Sequence, residues 1–315
     1  MSDPERLAAL IGRIGRGRHG SRDLTRAEAA DALRALFAPE ADPLQLGAFL
    51  IAQRMKGETA EELAGFVDAA RATIEGCGTV RHPEAVDLPC YAGKRRAPPL
   101  HLLAALRAAR SDGIPVVIHA PEAIAGRLSA VAALRALGID PAGSLAEADA
   151  MLRTRGIALL SLDRFCPPLA RLLGLRPRLG VRSFANTVAR LLNPLGCGGQ
   201  LNGFFHAPYG ARMAAANRLL GQPRALLFMG AEGEPELYAD RQKLLLWLRG
   251  EQPEQPLPCP DAGCPPYPRA AATPDALRHR LQQLHDGAAP DAREAAVLAR
   301  MARAFALAAG VGGWG

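Results

Sequence analysis

The spacing of hydrophobic residues along the chain changes near residue 80. Before that point apolar side chains recur every three or four positions, which is typical of helices that bury one face. Thr25 and Glu28 form a capping-box pattern, and Asp42-Pro43 and Thr59 mark the starts of two further helices. We therefore predict an all-helical N-terminal domain over residues 1–78.

After residue 80, short apolar runs with the composition of buried strands alternate with helical patterns. This alternation indicates a mostly parallel sheet with helices on both faces. We therefore predict the α/β fold class, with an α/β domain over residues 79–315. The strand-like runs lie at residues 114–118, 157–161, 201–205 and 225–229, and the helical patterns lie at about 123–137, 209–220, 274–286 and 290–309.

Residues 251–274 are rich in proline, which predicts an irregular surface loop. Cys259 and Cys264 lie within this loop. A structural zinc site usually needs two close pairs of cysteine or histidine, but the nearest histidine is His279 and no second pair is evident. We therefore expect two free thiols in a mobile loop, and no metal or other cofactor.

The chain is basic, with 38 Lys and Arg against 31 Asp and Glu and a net charge of +7. This balance favours an anionic partner but does not indicate a fold. The first ten residues, MSDPERLAAL, are charged and lack the apolar centre of a secretion signal, and no uncharged apolar run reaches about 18 residues. We expect a cytoplasmic protein with reduced cysteines and no membrane partner.

Residues 15–20, GRGRHG, match the glycine spacing of dinucleotide-binding loops. That function requires a strand before the glycines, whereas a helical pattern precedes them here, so we reject it. Two interpretations stay open: a plain connection between helices, or a flexible basic loop in which Arg13, Arg16 and Arg18 contact phosphates.

A second basic loop, YAGKRRAPP at residues 91–99, lies between an apolar run and a helical apolar segment. Ligands of α/β proteins bind where strands end, so Lys94, Arg95 and Arg96 are candidates for phosphate contacts. Arg176, Arg178, Arg182 and Arg190 add further positive charge at predicted element ends. Aromatic residues make up only 5% of the chain, so backbone contacts rather than base stacking should dominate any nucleic-acid binding.

Two other groups of residues have open interpretations. Glu232, Glu234, Glu236 and Asp240 follow the strand-like run at 225–229, so they form either a magnesium site or a solvated loop. His119 ends a strand-like run, where it is either catalytic or a structural polar contact.

Several stretches resemble one known family over nearly the whole chain. LTRAEAADALRALFAPEADPLQLGAFLIAQRMKGETAEELAGFVDAAR is similar to the N-terminal helical domain of anthranilate phosphoribosyltransferases and pyrimidine nucleoside phosphorylases. IPVVIHA, LRALGI and RLGVRSFANTVARLLNPLG resemble later segments of the same family. The resemblance implies a small helical domain, joined by helices from about 165–195, packed on a larger α/β domain with a mostly parallel central sheet. It also implies a homodimer formed through the helical domain.

The chain departs from this family at the positions that carry its chemistry. The transferases cradle the diphosphate of phosphoribosyl pyrophosphate (PRPP) in a GTGGD loop, whereas this chain has YAGKRR at residues 91–96. Their magnesium-binding Asp-Glu pair falls on Pro235-Glu236, and their KHGNR stretch falls on residues 118–122. Their Gly-Pro in the anthranilate pocket falls on Ala189-Arg190, although Arg176 matches their anthranilate-contacting arginine. These replacements argue against binding PRPP in the same way.

IGRGRHGSRDLT, LPCYAGKRRAPPLHLLA, FCPPL and GAEGEPELYADRQK resemble a divergent bacterial branch of the family. The resemblance implies a dimer with basic grooves that binds DNA and RNA without sequence preference. We expect this function, with DNA, RNA or both as partners and no catalytic residue assigned. The residues expected to contact phosphate are Arg13, Arg16, Arg18, Lys94, Arg95, Arg96, Arg176, Arg178, Arg182 and Arg190.

Two other functions stay open. The first is a phosphoribosyltransferase or related glycosyltransferase with an altered PRPP site, because a shared fold does not exclude activity. The second is a protein that binds another polyanion or a partner protein.

Overall fold

The computed structural model describes residues 3–242 and 244–314, without the side chains of residues 3, 4 and 18. Its N-terminal region is helical. Thr25 and Thr59 cap two of these helices in capping boxes closed by Glu28 and Glu62, and Asp42 caps the helix between them. The helices are α1 (Asp3–Ile14), α2 (Gly17–Gly20), α3 (Arg26–Phe37), α4 (Pro43–Lys56) and α5 (Ala60–Ala72).

A seven-stranded sheet forms the centre of the remaining chain, in the order β3-β2-β1-β4-β5-β6-β7. The pairings from β3 through β5 are parallel, and β6 and β7 extend the sheet in antiparallel fashion. A small helical domain beside a larger α/β domain with a mostly parallel sheet confirms the predicted fold class. The strands are β1 (His82–Pro89), β2 (Val116–Ala120), β3 (Ile157–Ser161), β4 (Cys197–Phe204), β5 (Arg224–Met229), β6 (Leu245–Arg249) and β7 (Gln255–Pro256).

Further helices connect and cover the strands. They are α6 (Leu100–Ser111), α7 (Ala130–Arg135), α8 (Leu145–Arg155), α9 (Leu162–Phe165), α10 (Pro167–Gly174), α11 (Arg176–Leu179), α12 (Ala185–Arg190), α13 (Tyr209–Leu219), α14 (Pro274–His285) and α15 (Ala292–Ala309). No helix in the described parts of the chain is both long enough and apolar enough to cross a membrane.

The helix predicted over residues 123–137 is wrong in its first half. Gly126 adopts a φ of 66°, within a turn that links Ile124 to Arg127, and Leu128 forms a β-bridge with Lys94. Only α7 is helical in this stretch. The bridge between Leu128 and Lys94 holds this segment against the loop that follows β1.

Apolar layers cover both faces of the sheet. On one face, the segment between β3 and β4 returns to the N-terminal helices, where the Phe184 ring stacks on Phe66 with centroids 4.1 Å apart. The Arg71 guanidinium of α5 donates hydrogen bonds to the carbonyls of residues 191 and 192. On the other face α15 packs through Phe305. These contacts place α4 and α12 beside the carboxyl end of β4.

Candidate functional site

The carboxyl ends of β1, β4 and β5 lie side by side, so the segments after them meet at one edge of the sheet. We call residues 91–96 the β1 loop and residues 232–236 the acidic segment. Gly203 of β4 and Gly230 allow the acidic segment to approach closely. A Cβ atom on these glycines would lie 2.4 Å and 1.7 Å from the Glu234 carbonyl oxygen, so no other residue fits there without a shift.

Carboxylates of the acidic segment accept hydrogen bonds from the backbone amide groups of the β1 loop. Glu234 accepts a hydrogen bond of 2.8 Å from the N–H of Ala92, and a second from the N–H of Gly93. Glu232 accepts from the N–H groups of residues 95 and 96, both at 3.0 Å. Glu232 adopts a left-handed φ of 60°, a conformation that is costly for a residue with a side chain. The loop therefore already binds anions, which the chain itself supplies.

Lys94 points into the protein rather than toward solvent, with 1% of its surface exposed. Its ammonium group contacts the Glu236 carboxylate and lies 2.9 Å from the Tyr267 hydroxyl. Burial alone would lower the pKa of Lys94, but Glu236, Tyr267 and Glu232 outweigh burial and raise it. The prediction that Lys94 contacts phosphate is therefore corrected, because a buried and paired ammonium group cannot reach a ligand on the surface.

Glu236 is the second anchor of this buried network. It accepts from the backbone N–H of His101 at 3.2 Å and lies 3.0 Å from the Nδ1 atom of that ring. Burial would raise the pKa of Glu236, but the charge of Lys94 and the hydrogen bond from His101 lower it to about 2. The solvated-loop interpretation of the acidic segment is wrong, because Glu232, Glu234 and Glu236 are buried and bonded to the protein.

His119 lies in a second buried network. Its Nδ1 atom is 2.6 Å from the Tyr91 hydroxyl, and its Nε2 atom is 3.2 Å from an Asp87 carboxylate oxygen. Gln200 donates to the same carboxylate at 2.8 Å. Because both ring nitrogens are bonded and the ring is fully buried, the geometry favours the structural interpretation of His119.

A cavity of about 340 Å³ lies beside these networks. Its apolar lining includes Phe204, Phe205 and Tyr209, and Phe205 is 53% exposed. Glu232 is the carboxylate in its lining, at 3.5 Å from the Arg127 guanidinium. Five guanidinium groups surround the cavity, which we call the arginine cleft: Arg54, Arg127, Arg176, Arg182 and Arg190.

The cations of the arginine cleft repel one another. Burial, together with the charges of Arg190 and Arg176, lowers the pKa of Arg182 to about 10. The pKa of Arg127 is also lowered, by burial and by the charges of Arg95 and Arg176, although Glu232 opposes this. Crowded cations with lowered pKa values gain stability when an anion enters between them.

Arg176, Arg182 and Arg190 of the predicted set line the arginine cleft, and Arg95 adjoins it through Arg127. Arg190 is buried, and its guanidinium donates to the carbonyls of residues 186 and 233, so it forms part of the wall. Arg96 is half-buried, and Arg178 is exposed on α11, outside the lining. The expectation that these residues contact phosphate stays a prediction.

Arg13 and Arg16 do not line the arginine cleft. Arg13 pairs with Glu28, and the Nε atom of exposed Arg16 donates to the Gly12 carbonyl at 3.0 Å. The side chain of Arg18 lies outside the described part of the structure. Arg13 lies in the last turn of α1, and Arg16 lies between α1 and α2.

Arg54, Arg127 and Phe205 were not predicted from the sequence as site residues. Arg54 lies within RMKGET, a stretch that carried the family resemblance, so that motif was a usable signal. Phe205 ends the strand-like run at 201–205 and Arg127 lies in the stretch predicted as a helix, so neither carried a signal for a ligand site, and their place in the cleft follows only from the way the strand ends assemble.

Comparisons with known proteins agree with this architecture. Residues 8–74 match the helical bundle domain of a glycosyl transferase family. Uncharacterized protein YbiB of Escherichia coli K12 is 34% identical over 237 residues, which cover 74% of this chain and 73% of that protein. Anthranilate phosphoribosyltransferase of Methylocella silvestris is 32% identical over 231 residues, which cover 73% of this chain and 64% of that enzyme. The chain thus spans slightly less than two thirds of that enzyme.

Solved structures show the same fold. Anthranilate phosphoribosyltransferase from Thermus thermophilus superposes with a TM-score of 0.75 at 25% identity, covering 97% of this chain and 89% of that one. The Saccharomyces cerevisiae enzyme, solved with PRPP and Mg, also gives a TM-score of 0.75, at 15% identity over 98% of this chain and 90% of that one. This protein therefore belongs to the family that contains the anthranilate phosphoribosyltransferases and YbiB.

Proposed function

We propose that this protein binds DNA or RNA through its phosphate backbone at the arginine cleft, without reading sequence and without transferring a phosphoribosyl group. One observation carries the proposal: the β1 loop is filled by the carboxylates of Glu232 and Glu234, while cations beside it stay unpaired. Within the described residues, Arg54, Arg176 and Arg182 form no ion pair within 4.0 Å.

The filled loop disfavours a small diphosphate as the ligand. In the phosphoribosyltransferases that this chain resembles, the loop after the first strand cradles the diphosphate of PRPP. Here the amides of this loop already donate hydrogen bonds to Glu232 and Glu234. Glu236, which falls on the family's magnesium-binding pair, is neutralised by an ion pair with Lys94. A diphosphate would have to displace two carboxylates from a buried network, and like charges so close repel each other.

The unpaired arginines favour an extended anion instead. Arg95 and Arg176 both lie near Arg127, and Arg176 also lies near Arg182, so successive phosphates of a polymer can each meet a guanidinium. Such contacts release counterions condensed on the nucleic acid, so binding should be strong at low salt and independent of sequence.

Combined substitution of Arg95, Arg176 and Arg182 to Ala tests this function. Each lost phosphate contact should reduce the magnitude of the slope of log K against log salt by about 0.9 for duplex DNA. The slope of the triple variant should therefore be smaller in magnitude by about 2.7 than that of the wild type. The slope is measured by fluorescence anisotropy at several salt concentrations, with circular dichroism to verify folding.

The matched control removes Arg34, Arg153 and Arg278, three exposed arginines that pair with carboxylates elsewhere. It has the same net charge as the triple cleft variant and should keep nearly the wild-type slope. Equal slopes for the wild type and the cleft variant would overturn the proposal.

The arginine cleft also gives a specific reason to retain the altered transferase as a second candidate. Arg176 occupies the position of an anthranilate-contacting arginine, and Phe204, Phe205 and Tyr209 could pack against a small aromatic anion. Magnesium-dependent binding of PRPP distinguishes this candidate, because the nucleic-acid proposal predicts that magnesium does not promote PRPP binding.

We also propose that two copies associate through α4. Leu44, Ile51 and Met55 lie on one face of this helix at helical spacing, and Leu44 and Met55 are 79% and 80% exposed. An apolar face of this kind, on the domain through which the family resemblance implies dimers, supports a second copy as its partner.

Sedimentation equilibrium should give twice the chain mass for the wild type and a single chain mass for the double variant L44E/M55E. The control is L219E, which places a charge on another partly exposed leucine, on α13. A wild-type protein that sediments as a single chain at micromolar concentration would contradict this arrangement.

A further inference from the structure

Three side chains from distant parts of the sequence meet next to the β1 loop. The Cys90 sulfur, a His101 ring nitrogen and a Glu234 carboxylate oxygen all lie within 4.8 Å of one another, and all three residues are buried. None of the three lines the arginine cleft. The cluster is therefore separate from the arginine cleft.

The surroundings of His101 fix which ring nitrogen is free. Nδ1 lies 3.0 Å from a Glu236 oxygen, and an ionised carboxylate can only accept, so Nδ1 carries the proton. Nε2 therefore presents a lone pair. This atom is buried and has no hydrogen-bond partner among the described residues. A histidine held by a carboxylate on one nitrogen, with the other nitrogen free, is the usual arrangement of a metal ligand.

Glu234 also contains an unpartnered carboxylate oxygen. Its Oε1 atom accepts both amide hydrogen bonds from the β1 loop, whereas its Oε2 atom is buried without a partner among the described residues. Burying a carboxylate oxygen or an imidazole lone pair with no donor is costly. His101 and Glu234 each contain one such atom and lie in the same cluster, which indicates that a positively charged group belongs between them.

Cys90 completes the set. Its sulfur has only a weak contact, at 3.5 Å from the Leu88 carbonyl, so it is not engaged by a strong partner. As a thiolate it would contribute one negative charge and Glu234 another. Together these two charges balance a dication, and the neutral His101 ring adds a third ligand without changing the charge.

We propose that Cys90, His101 and Glu234 bind one divalent transition-metal ion, and that zinc suits their sulfur, nitrogen and oxygen donors best. Binding exchanges the S–H bond of Cys90 for a sulfur–metal bond and releases the proton to solvent. Zinc lies about 2.0–2.3 Å from such ligands, which places tetrahedral ligand atoms about 3.5 Å apart. The three side chains would have to close by about 1 Å, leaving a fourth position for water.

The ion would join three segments that meet only in the folded chain. Cys90 follows β1, His101 lies in the first turn of α6, and Glu234 belongs to the acidic segment. Holding Glu234 in place also holds the carboxylate that occupies the amides of the β1 loop. The ion would therefore stabilise the filled state of the loop.

Metal analysis of the full-length protein tests the proposal. Protein expressed with added zinc should contain about one zinc per chain by inductively coupled plasma mass spectrometry. Chelator-treated protein should take up one Co²⁺ with a thiolate-to-cobalt absorption band, and zinc should raise its melting temperature as a ligand of the native state does. Absence of metal in the first preparation together with no cobalt band in the second would overturn the proposal.

Variants locate the site. C90S and H101Q should each lose the cobalt band and at least tenfold in zinc affinity, whereas C264S, which alters a thiol of the proline-rich loop, should behave as wild type. E234Q keeps an oxygen for the loop amides, so it serves if C90S or H101Q fails to fold by circular dichroism. Wild-type zinc affinity in folded C90S or E234Q would show that the metal, if any, binds elsewhere.

Discussion

At residue 94, a lysine within a basic tripeptide is buried by partners that lie far along the chain. Its ammonium group meets Glu236, 142 positions away, and the Tyr267 hydroxyl, 173 positions away. The sequence predicted positive charge at the β1 loop, but local composition holds no information about which side chains fold over it. Arg95, the next residue, stays exposed, so neighbours in one basic run have opposite environments.

Lys94→Met should destabilise the protein by about 3–5 kcal/mol, because it leaves the buried Glu236 carboxylate without its cation. The double variant K94M/E236Q should recover part of this loss, since neither charge is then left alone. Urea unfolding of the wild type, both single variants and the double variant measures the coupling.

The surface control is R278M, which breaks an exposed pair with Asp275 and should change stability little. Strictly additive losses at Lys94 and Glu236 would show that the two groups do not act as a pair.

At the scale of helices and strands, local signals identified most elements. The capping boxes at Thr25 and Thr59 begin helices, and the apolar run at 157–161 is β3 in full. The strand β6 was missed because its continuous apolar run has no alternation, so periodicity cannot separate it from a helix. The antiparallel pairing of β6 depends on β5 and on the path of residues 230–242, which no local pattern encodes.

Close helix packing depends on Gly65 of α5, where an added Cβ would lie 2.1 Å from the Arg26 carbonyl oxygen of α3. Gly65→Ala should therefore lower the free energy of unfolding by about 1–3 kcal/mol, because overpacking outweighs the higher helix propensity of alanine. Gly12→Ala in α1 is the matched control, because nothing lies within 4 Å of its added Cβ.

For Gly12→Ala we expect a gain of about 0.5–1 kcal/mol from propensity alone. Both variants are compared by urea unfolding at constant protein concentration. A stabilised G65A would mean that α3 and α5 do not approach each other this closely.

The whole molecule has the fold of its family, but it differs from the transferases at the residues that carry their chemistry. The fold class was predictable, since the helical domain and the parallel sheet each leave a sequence pattern, and the family was predicted from the resemblance of several stretches to it. The arginine cleft was predicted in part, through Arg176, Arg182 and Arg190, whereas Arg54 and Arg127 join it only through tertiary packing. The filled β1 loop was not predictable, because it depends on how closely the glutamates at 232 and 234 approach it across the sheet edge.

We propose above that the protein binds a chain of phosphates and not a single diphosphate. The most direct test measures affinity by competition for PRPP with magnesium and for single-stranded oligonucleotides of increasing length, each at low and at physiological salt. We predict that affinity rises with oligonucleotide length and falls steeply with salt, and that PRPP competes weakly with or without magnesium. Tight, magnesium-dependent binding of PRPP, with oligonucleotide affinity independent of length, would contradict the account.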